Sequence, residues 1–378
     1  MSKFSNPFVP TTNVRLTSPP QALTTPMRPI NPVPVCVPIE GFAELFSCRI
    51  NSLPQNVALL GWLAQTARWY CAPLRLADAS AGHFSRIFQQ RGTDRLIDFL
   101  SRGIVPALNT TSLWFPFAFY DGWRERIAYS DDYRWVTPPD LSDWPEWHGA
   151  PGELPILSPS RHWLACYGAH HGDPSALLLP EAHYLMTAGY ADLFAEVGRL
   201  RTPWRKKSAR AIFAGGDHGD HRNFFAPTSD TSLHPRRRLH QVATQQSLDV
   251  DIYLGQFVSR AEQMSRRYIL DVDGFARTWD AWAWKMMSGS TVLSVASPWV
   301  SFFTEQFSAW EHFVPVSNDM SDLAEKIAWC QSHDAECEAI ADRARERAMV
   351  VYGRESVAMR LLQSLRNKLA EAPPAGWG

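Results

Sequence analysis

The chain has 378 residues, 45% of them hydrophobic, and 37 basic against 38 acidic residues leave a formal net charge of −1. Length and apolar content suffice for two cores of ordinary domain size, because single cores stop growing at roughly 250–300 residues. The balanced charge excludes an overall basic field for nucleic acid or an anionic membrane, so an anionic ligand must be met by local groups.

Residues 1–38 hold nine prolines, three basic residues and no acid. This reads as an extended arm, since proline neither continues a helix nor donates in a central strand. Helical patterns dominate from Gly41 to Trp204 and predict a first domain over 39–204. Asn56–Tyr70 is apolar at helical spacing, and Thr93–Arg102 opens on an N-cap residue with Asp94 behind it and Gly103 past its end. Trp114–Phe119 and Ala176–Leu179 are short apolar runs that read as buried strands.

At the basic linker Arg205–Arg210 the pattern changes to alternating strand and helix, giving a second domain over 205–350. Strands are expected at Ala209–Phe213, Val250–Leu254, Tyr268–Val272, Thr291–Val295 and Phe313–Val316, an order that builds a doubly wound parallel α/β sheet. A last helix, Arg354–Ala372, stops at Pro373 and Pro374; within the closing segment 351–378 it is expected to pack back on the first domain. The six cysteines show no paired spacing, which predicts a reduced, cytoplasmic protein. No run reaches the roughly 18 apolar residues of a membrane span, and no apolar signal core follows the first charges. The expected location is the cytoplasm, at most peripheral to the inner face of a membrane.

Behind the strand Ala209–Phe213, Gly215 and Gly216 would let backbone amides approach a phosphate, with Arg222 and the run Arg236–Arg238 near in sequence. The same loop, GGDHGDH, groups Asp217, His218, Asp220 and His221, which are ligand types for zinc, manganese or iron. That opens one alternative, a metal-dependent phosphoesterase, although no second cluster of matching type accompanies it. Asp273 and Gly274 follow the strand Tyr268–Val272, and Ser288, Gly289 and Ser290 form a turn before the next. Both groups are expected beyond the carboxyl ends of the strands, where open α/β sheets bind ligands. Asp271 and Asp273 end a buried strand on which alternate residues share one face, and Asp273 is read as orienting the following loop. No GxSxG elbow is present.

The stretch YILDVDGFARTWDAWAWKMMSGSTVLSV and the later WEHFVPV resemble the sugar-nucleotide half of the Rumi-like protein O-glucosyltransferases and the lipopolysaccharide-modifying, capsule-associated glycosyltransferases. The likeness extends from Phe115 to Gly353 by way of LLLPEAHYL and Pro203–Lys207. It implies two Rossmann-like domains facing a cleft, the GT-B arrangement. It also implies an inverting sugar transfer from a nucleotide donor, a UDP-sugar, to a hydroxyl of a glycan such as lipopolysaccharide or capsule, or of a protein serine, with no required metal. Donor contacts are then expected from Gly215, Gly216, Arg222, Asp273, Gly274, Arg277, Ser288, Gly289 and Ser290. An inverting transfer needs a base for the acceptor hydroxyl; the family base ends an apolar strand, and Asp121, closing LWFPFAFYD, stands at such a place. Asp131, Asp132 and Asp140 are further carboxylates. The chain departs from the family twice: Phe-Arg-Gly-Ser is here Phe213-Ala214-Gly215-Gly216, and the arginine eight positions before Gly289 is Ala281, with Arg277 the nearest substitute. These departures open a second alternative, a glycan-binding protein without catalysis.

Overall fold

The computed structural model describes residues 37–38, 57–63, 68–75, 93–110, 112–118, 163–172, 176–225, 230 and 232–371. Before the basic linker these include strands β1 (Val37–Pro38), β2 (Val57–Leu63), β3 (Arg68–Arg75), β4 (Ser112–Ala118), β5 (Leu164–Cys166), β6 (Gly168–His170) and β7 (Ala176–Leu178). All but β6 join in one mixed sheet ordered β1-β3-β2-β4-β5-β7.

The helix expected at Asn56–Tyr70 is instead β2 and the start of β3, paired antiparallel with Trp62 opposite Trp69. β2 also pairs with β4 on its other side. Leu60 and Trp69 are fully buried in the core beneath, and pairing on both sides overrides the local helical spacing.

Helix α1 (Thr93–Phe99) does not stop at Gly103. It runs through a π turn, Leu100–Ile104, into α2 (Val105–Leu108), and ends at Asn109, which takes a left-handed φ of 50°. Leu100, Ile104 and Val105 continue the buried face past the glycine.

Beyond the linker lie β8 (Ser208–Gly215), β9 (Val250–Leu254), β10 (Arg266–Asp271), β11 (Thr291–Val295), β12 (Trp299–Ser301) and β13 (Val314–Val316). Five form a sheet ordered β13-β11-β10-β8-β9, parallel at every pairing. Strand alternation sends Ile212, Ile269 and Val292 to one face and Ala211, Tyr268, Leu270 and Leu293 to the other, so each face has its own apolar cluster. The other described α-helices are α3 (Ala182–Met186), α4 (Ala191–Leu200), α5 (Pro235–Gln245), α6 (Arg260–Met264), α7 (Ala281–Met287), α8 (Leu323–Ser332), α9 (Asp334–Val351) and α10 (Arg354–Ala370).

The first cluster is continuous between the halves, joining Leu60 and Trp69 to Ile269 and to Trp282 and Trp284 of α7. β6 pairs with β12, His170 opposite Trp299, and adds a backbone link. α10 buries Val357, Leu361 and Leu365 in the cluster that holds Leu96, Leu100 and Ile104, and Arg366 donates to the Ala107 carbonyl at 2.8 Å. The last helix therefore lies against the first half. Among the described residues Cys166, Cys330 and Cys337 are buried, and no helix is long and apolar enough to cross a membrane.

Candidate functional site

Parallel strands place their following loops on one edge of the sheet, and there a cleft of about 780 Å³ opens at the carboxyl ends of β8 and β10. Gly215 and Gly216 line it from β8, Asp271, Asp273, Gly274 and Arg277 from the end of β10, Arg236 from α5, and Ala281, Trp284 and Lys285 from α7.

Its floor is a buried charge network. Lys285 Nζ donates to Asp271 Oδ1 at 2.7 Å and to the Leu270 carbonyl at 3.2 Å. Arg277 Nη2 donates to Asp271 Oδ2 at 2.6 Å, to Ser294 Oγ at 3.1 Å and to the Val295 carbonyl at 3.3 Å. Arg277 Nε lies 2.9 Å from Asp273 Oδ1, an ion pair without hydrogen-bond alignment. Burial works to raise the Asp271 carboxyl, but the adjacent Lys285 and Arg277 charges outweigh it and hold the group below its usual range. For Asp273 burial wins over Arg277 and the Ser297 hydroxyl, and its pKa is raised. Ser297 Oγ donates to Asp273 Oδ2, so Asp273 ties the loop after β10 to the loop after β11.

Arg236 stands at the other wall, in the first turn of α5. Its Nη1 donates to the Gly216 carbonyl at 2.9 Å, and its Nε reaches toward the Val272 carbonyl at 3.5 Å. A Cβ on Gly274 would sit 2.9 Å from Arg236 Nη2, so this glycine is what lets the guanidinium come so close to the backbone. His218 stacks on Phe275 with centroids 5.4 Å apart.

Behind the cleft Asn223 Nδ2 donates to the Gly274 carbonyl at 2.7 Å, and Trp299 Nε1 donates to Asn223 Oδ1 at 2.8 Å. Asn318 Nδ2 donates to the carbonyls of Asn223 at 3.1 Å and Ala296 at 2.7 Å. Two asparagines therefore fasten the loops after β8, β10, β11 and β13 to one another, each amide answering backbone carbonyls.

The structure brings together Gly215, Gly216, Asp273, Gly274 and Arg277 from the expected set. Arg277 is occupied by Asp271 and Asp273, so the substitute phosphate contact read from the sequence is already engaged inside the fold. The turn Ser288-Gly289-Ser290 is elsewhere. It leads from α7 into β11, and Ser290 Oγ donates to the carbonyl of Arg266, the first residue of β10, at 2.7 Å. A turn entering a parallel strand lies at its amino end, so this one sits roughly 15–20 Å from Gly274, a strand length away. Ser288 and Ser290 are buried there beside Lys207, whose Nζ donates to Ser290 Oγ at 2.6 Å, and Gly289 supplies a φ of +67°. Arg222 belongs to the short helical turn His221–Asn223. Asp121, Asp131, Asp132 and Asp140 lie outside the described residues.

In the GGDHGDH loop Asp217 is held by Arg237 Nε and Nη2 at 2.9 and 3.0 Å. Among the described residues no group of three or more His, Cys, Asp or Glu is placed to hold a metal ion. Sequence reasoning missed Lys285, Asn223, Asn318 and Ser297. It named Arg236 only as a member of a basic run.

Residues 190–363 match Glycosyl transferase family 90. Protein O-glucosyltransferase 3 of Homo sapiens is 27% identical over 227 residues, which cover 53% of this chain and 40% of that protein. Uncharacterized protein 179R of Invertebrate iridescent virus 6 is 27% identical over 208 residues, 45% of this chain and 17% of that protein. The chain thus spans less than half the length of the curated relatives it matches. A solved structure, sucrose-phosphate synthase from Thermosynechococcus elongatus, aligns with 47% of this chain and 48% of its own at 17% identity, with a TM-score of 0.28.

Proposed function

The segment 190–363 is a Glycosyl transferase family 90 region of the kind found in Rumi-like enzymes, and from that premise we propose that the protein is an inverting glycosyltransferase that takes its nucleotide-sugar donor in the cleft at the ends of β8 and β10. The observation that carries the reading is the join of a glycine pair and buried cations at the carboxyl edge of a parallel sheet, within the matched segment. A UDP-sugar is the donor, in keeping with the resemblance, and the names of the O-glucosyltransferase relatives favour glucose. The acceptor is a hydroxyl of a glycan such as lipopolysaccharide or capsule, or of a protein serine. The architecture is GT-B, two Rossmann-like domains meeting near residue 204. The protein works in the cytoplasm, at most peripheral to the membrane.

In the reaction the acceptor oxygen attacks C1 of the sugar as the bond from C1 to the diphosphate oxygen breaks. The hydroxyl proton passes to the carboxylate of Asp121, and the diphosphate leaves with one more negative charge. Backbone amides of Gly215 and Gly216 and the cleft cations stabilise that charge, which is greatest in the transition state. Asp273 keeps the loop after β11 in register with Gly274 through Ser297.

The test is release of UDP from UDP-glucose, with water standing in as acceptor. Turnover is expected for the native chain, and a loss of about 100-fold or more for Asp121→Asn. Equal rates for the two proteins would remove Asp121 from the mechanism, and no turnover together with no UDP binding would overturn the reading.

A further inference from the structure

We propose that Arg236, rather than Arg277 or Lys285, is the cation that grips the diphosphate of the donor; this rests on the nucleotide-sugar reading above and names the phosphate contact within it. The cleft presents four cations, and three of them already have carboxylates: Arg260 pairs with Glu196 and Asp280. Lys285 and Arg277 share Asp271, and Arg277 also faces Asp273, with all four side chains no more than 12% exposed. Withdrawing either cation toward a ligand would strand a buried carboxylate, which is strongly unfavourable.

Arg236 differs in each respect. Its hydrogen bonds run to the backbone carbonyls of Gly216 and Val272, and among the described residues no carboxylate stands within ion-pair distance of it. Nη1 also comes within 3.4 Å of His218 Nε2. Nη2 makes no hydrogen bond there, and it faces the space left by the missing side chain of Gly274. The guanidinium therefore lies between the two glycine loops that end β8 and β10, tethered on one side and open on the other.

Charge points the same way. Asp271 and Asp273 offset Lys285 and Arg277, and Arg236 leaves the cluster with one positive charge in excess, at the wall of the cleft. That excess is sited in the first turn of α5, where the helix dipole is already positive and a basic residue is locally disfavoured. A bound anion would resolve both costs. An arginine fork matches two phosphate oxygens at once, which a diphosphate supplies, and its hold strengthens as the leaving group gains charge.

Calorimetric titration of the full chain with UDP and with uridine tests this. The native protein is expected to bind UDP at least about tenfold more tightly than uridine. Arg236→Ala should lower UDP affinity to the level of uridine while leaving uridine affinity unchanged, with Arg236→Lys in between. Should Arg236→Ala fail to fold, Gly274→Ala, which drives a Cβ against Nη2, is expected to weaken UDP alone. If folded Arg236→Ala, or Gly274→Ala in its place, binds UDP as the native chain does, the assignment to Arg236 is overturned and the nucleotide reading stands. If the native chain binds no UDP, the reading itself fails and the assignment with it.

Discussion

Replacing Lys285 by methionine keeps the volume of the side chain and removes one of the two cations that hold Asp271. The carboxylate is 7% exposed and the lysine 5%, so their 2.7 Å contact is made away from water. After the change Asp271 retains Arg277 at 2.6 Å. Breaking a buried pair costs about 3–5 kcal/mol, and because one cation remains the lower end applies, about 3 kcal/mol. At about 2.1 cal/mol/K of unfolding entropy per residue, a 378-residue chain shifts by about 1.3 °C per kcal/mol, so the melting temperature should fall by about 4 °C.

The sign of the pH dependence follows from the lowered Asp271 pKa, which Lys285 and Arg277 produce against burial. A carboxyl held below its unfolded value adds stability that is present above that value, about 3.9, and is lost as pH falls through the folded pKa. The deficit of Lys285→Met should therefore be largest near neutrality and narrow in acid. Thermal melts followed by circular dichroism measure it, and adding Asp271→Asn should restore part of the loss, because the under-paired buried carboxylate is then gone while Arg277 keeps Asp273. A Lys285→Met protein that melts within about 1 °C of the native chain at neutral pH would refute the claim that this ion pair holds the end of β10.

Gly289→Ala forces a side chain into a φ of +67°, at a cost of about 1 kcal/mol. Its melting temperature should drop by about 1 °C while UDP affinity is unchanged, since the turn is at the far edge of the sheet; weaker UDP binding in calorimetry would return that turn to the site. Burial raises the Glu181 carboxyl from 4.5 to about 8, against hydrogen bonds from Tyr190 and Ser301. The folded chain thus keeps a proton that the unfolded chain has lost between those values, so this group's stabilisation declines as pH rises through the window. Glu181→Gln should flatten the fall in melting temperature between about pH 5 and 8, and an unchanged slope would contradict the assignment. Asp121→Asn should lower turnover about 100-fold with little change in UDP affinity, because a base for the acceptor does not hold the donor.

The second sheet was legible because parallel strands buried on both faces read as unbroken apolar runs, and YILD and TVLSV are such runs. β2 was not legible. VALLGWL satisfies a period of 3.6 and a period of 2 alike, and only its pairing with β3 and β4 decides between them. The turn at Ser288–Ser290 was recognised as a turn and placed at the wrong edge, although element order alone places a helix-to-strand turn at the amino end of a parallel strand. Half of the cleft could be read from Gly215, Gly216, Asp273 and Gly274. The rest depends on contacts that no local spacing reports: Arg236 meets Gly216 across 20 residues, and Asn318 meets Asn223 across 95. Lys285 was hidden in a helix whose six last residues are all buried, where a lysine reads as an exception until its partner Asp271 is seen.

The central claim is that this cleft holds a nucleotide diphosphate. Calorimetric titration of the native chain with UDP, in the presence and absence of EDTA, tests it most directly. Saturable binding at one site that survives the chelator is the expected result. No saturable binding would contradict the claim, and binding abolished by EDTA would transfer the chemistry to the Asp and His residues of the GGDHGDH loop.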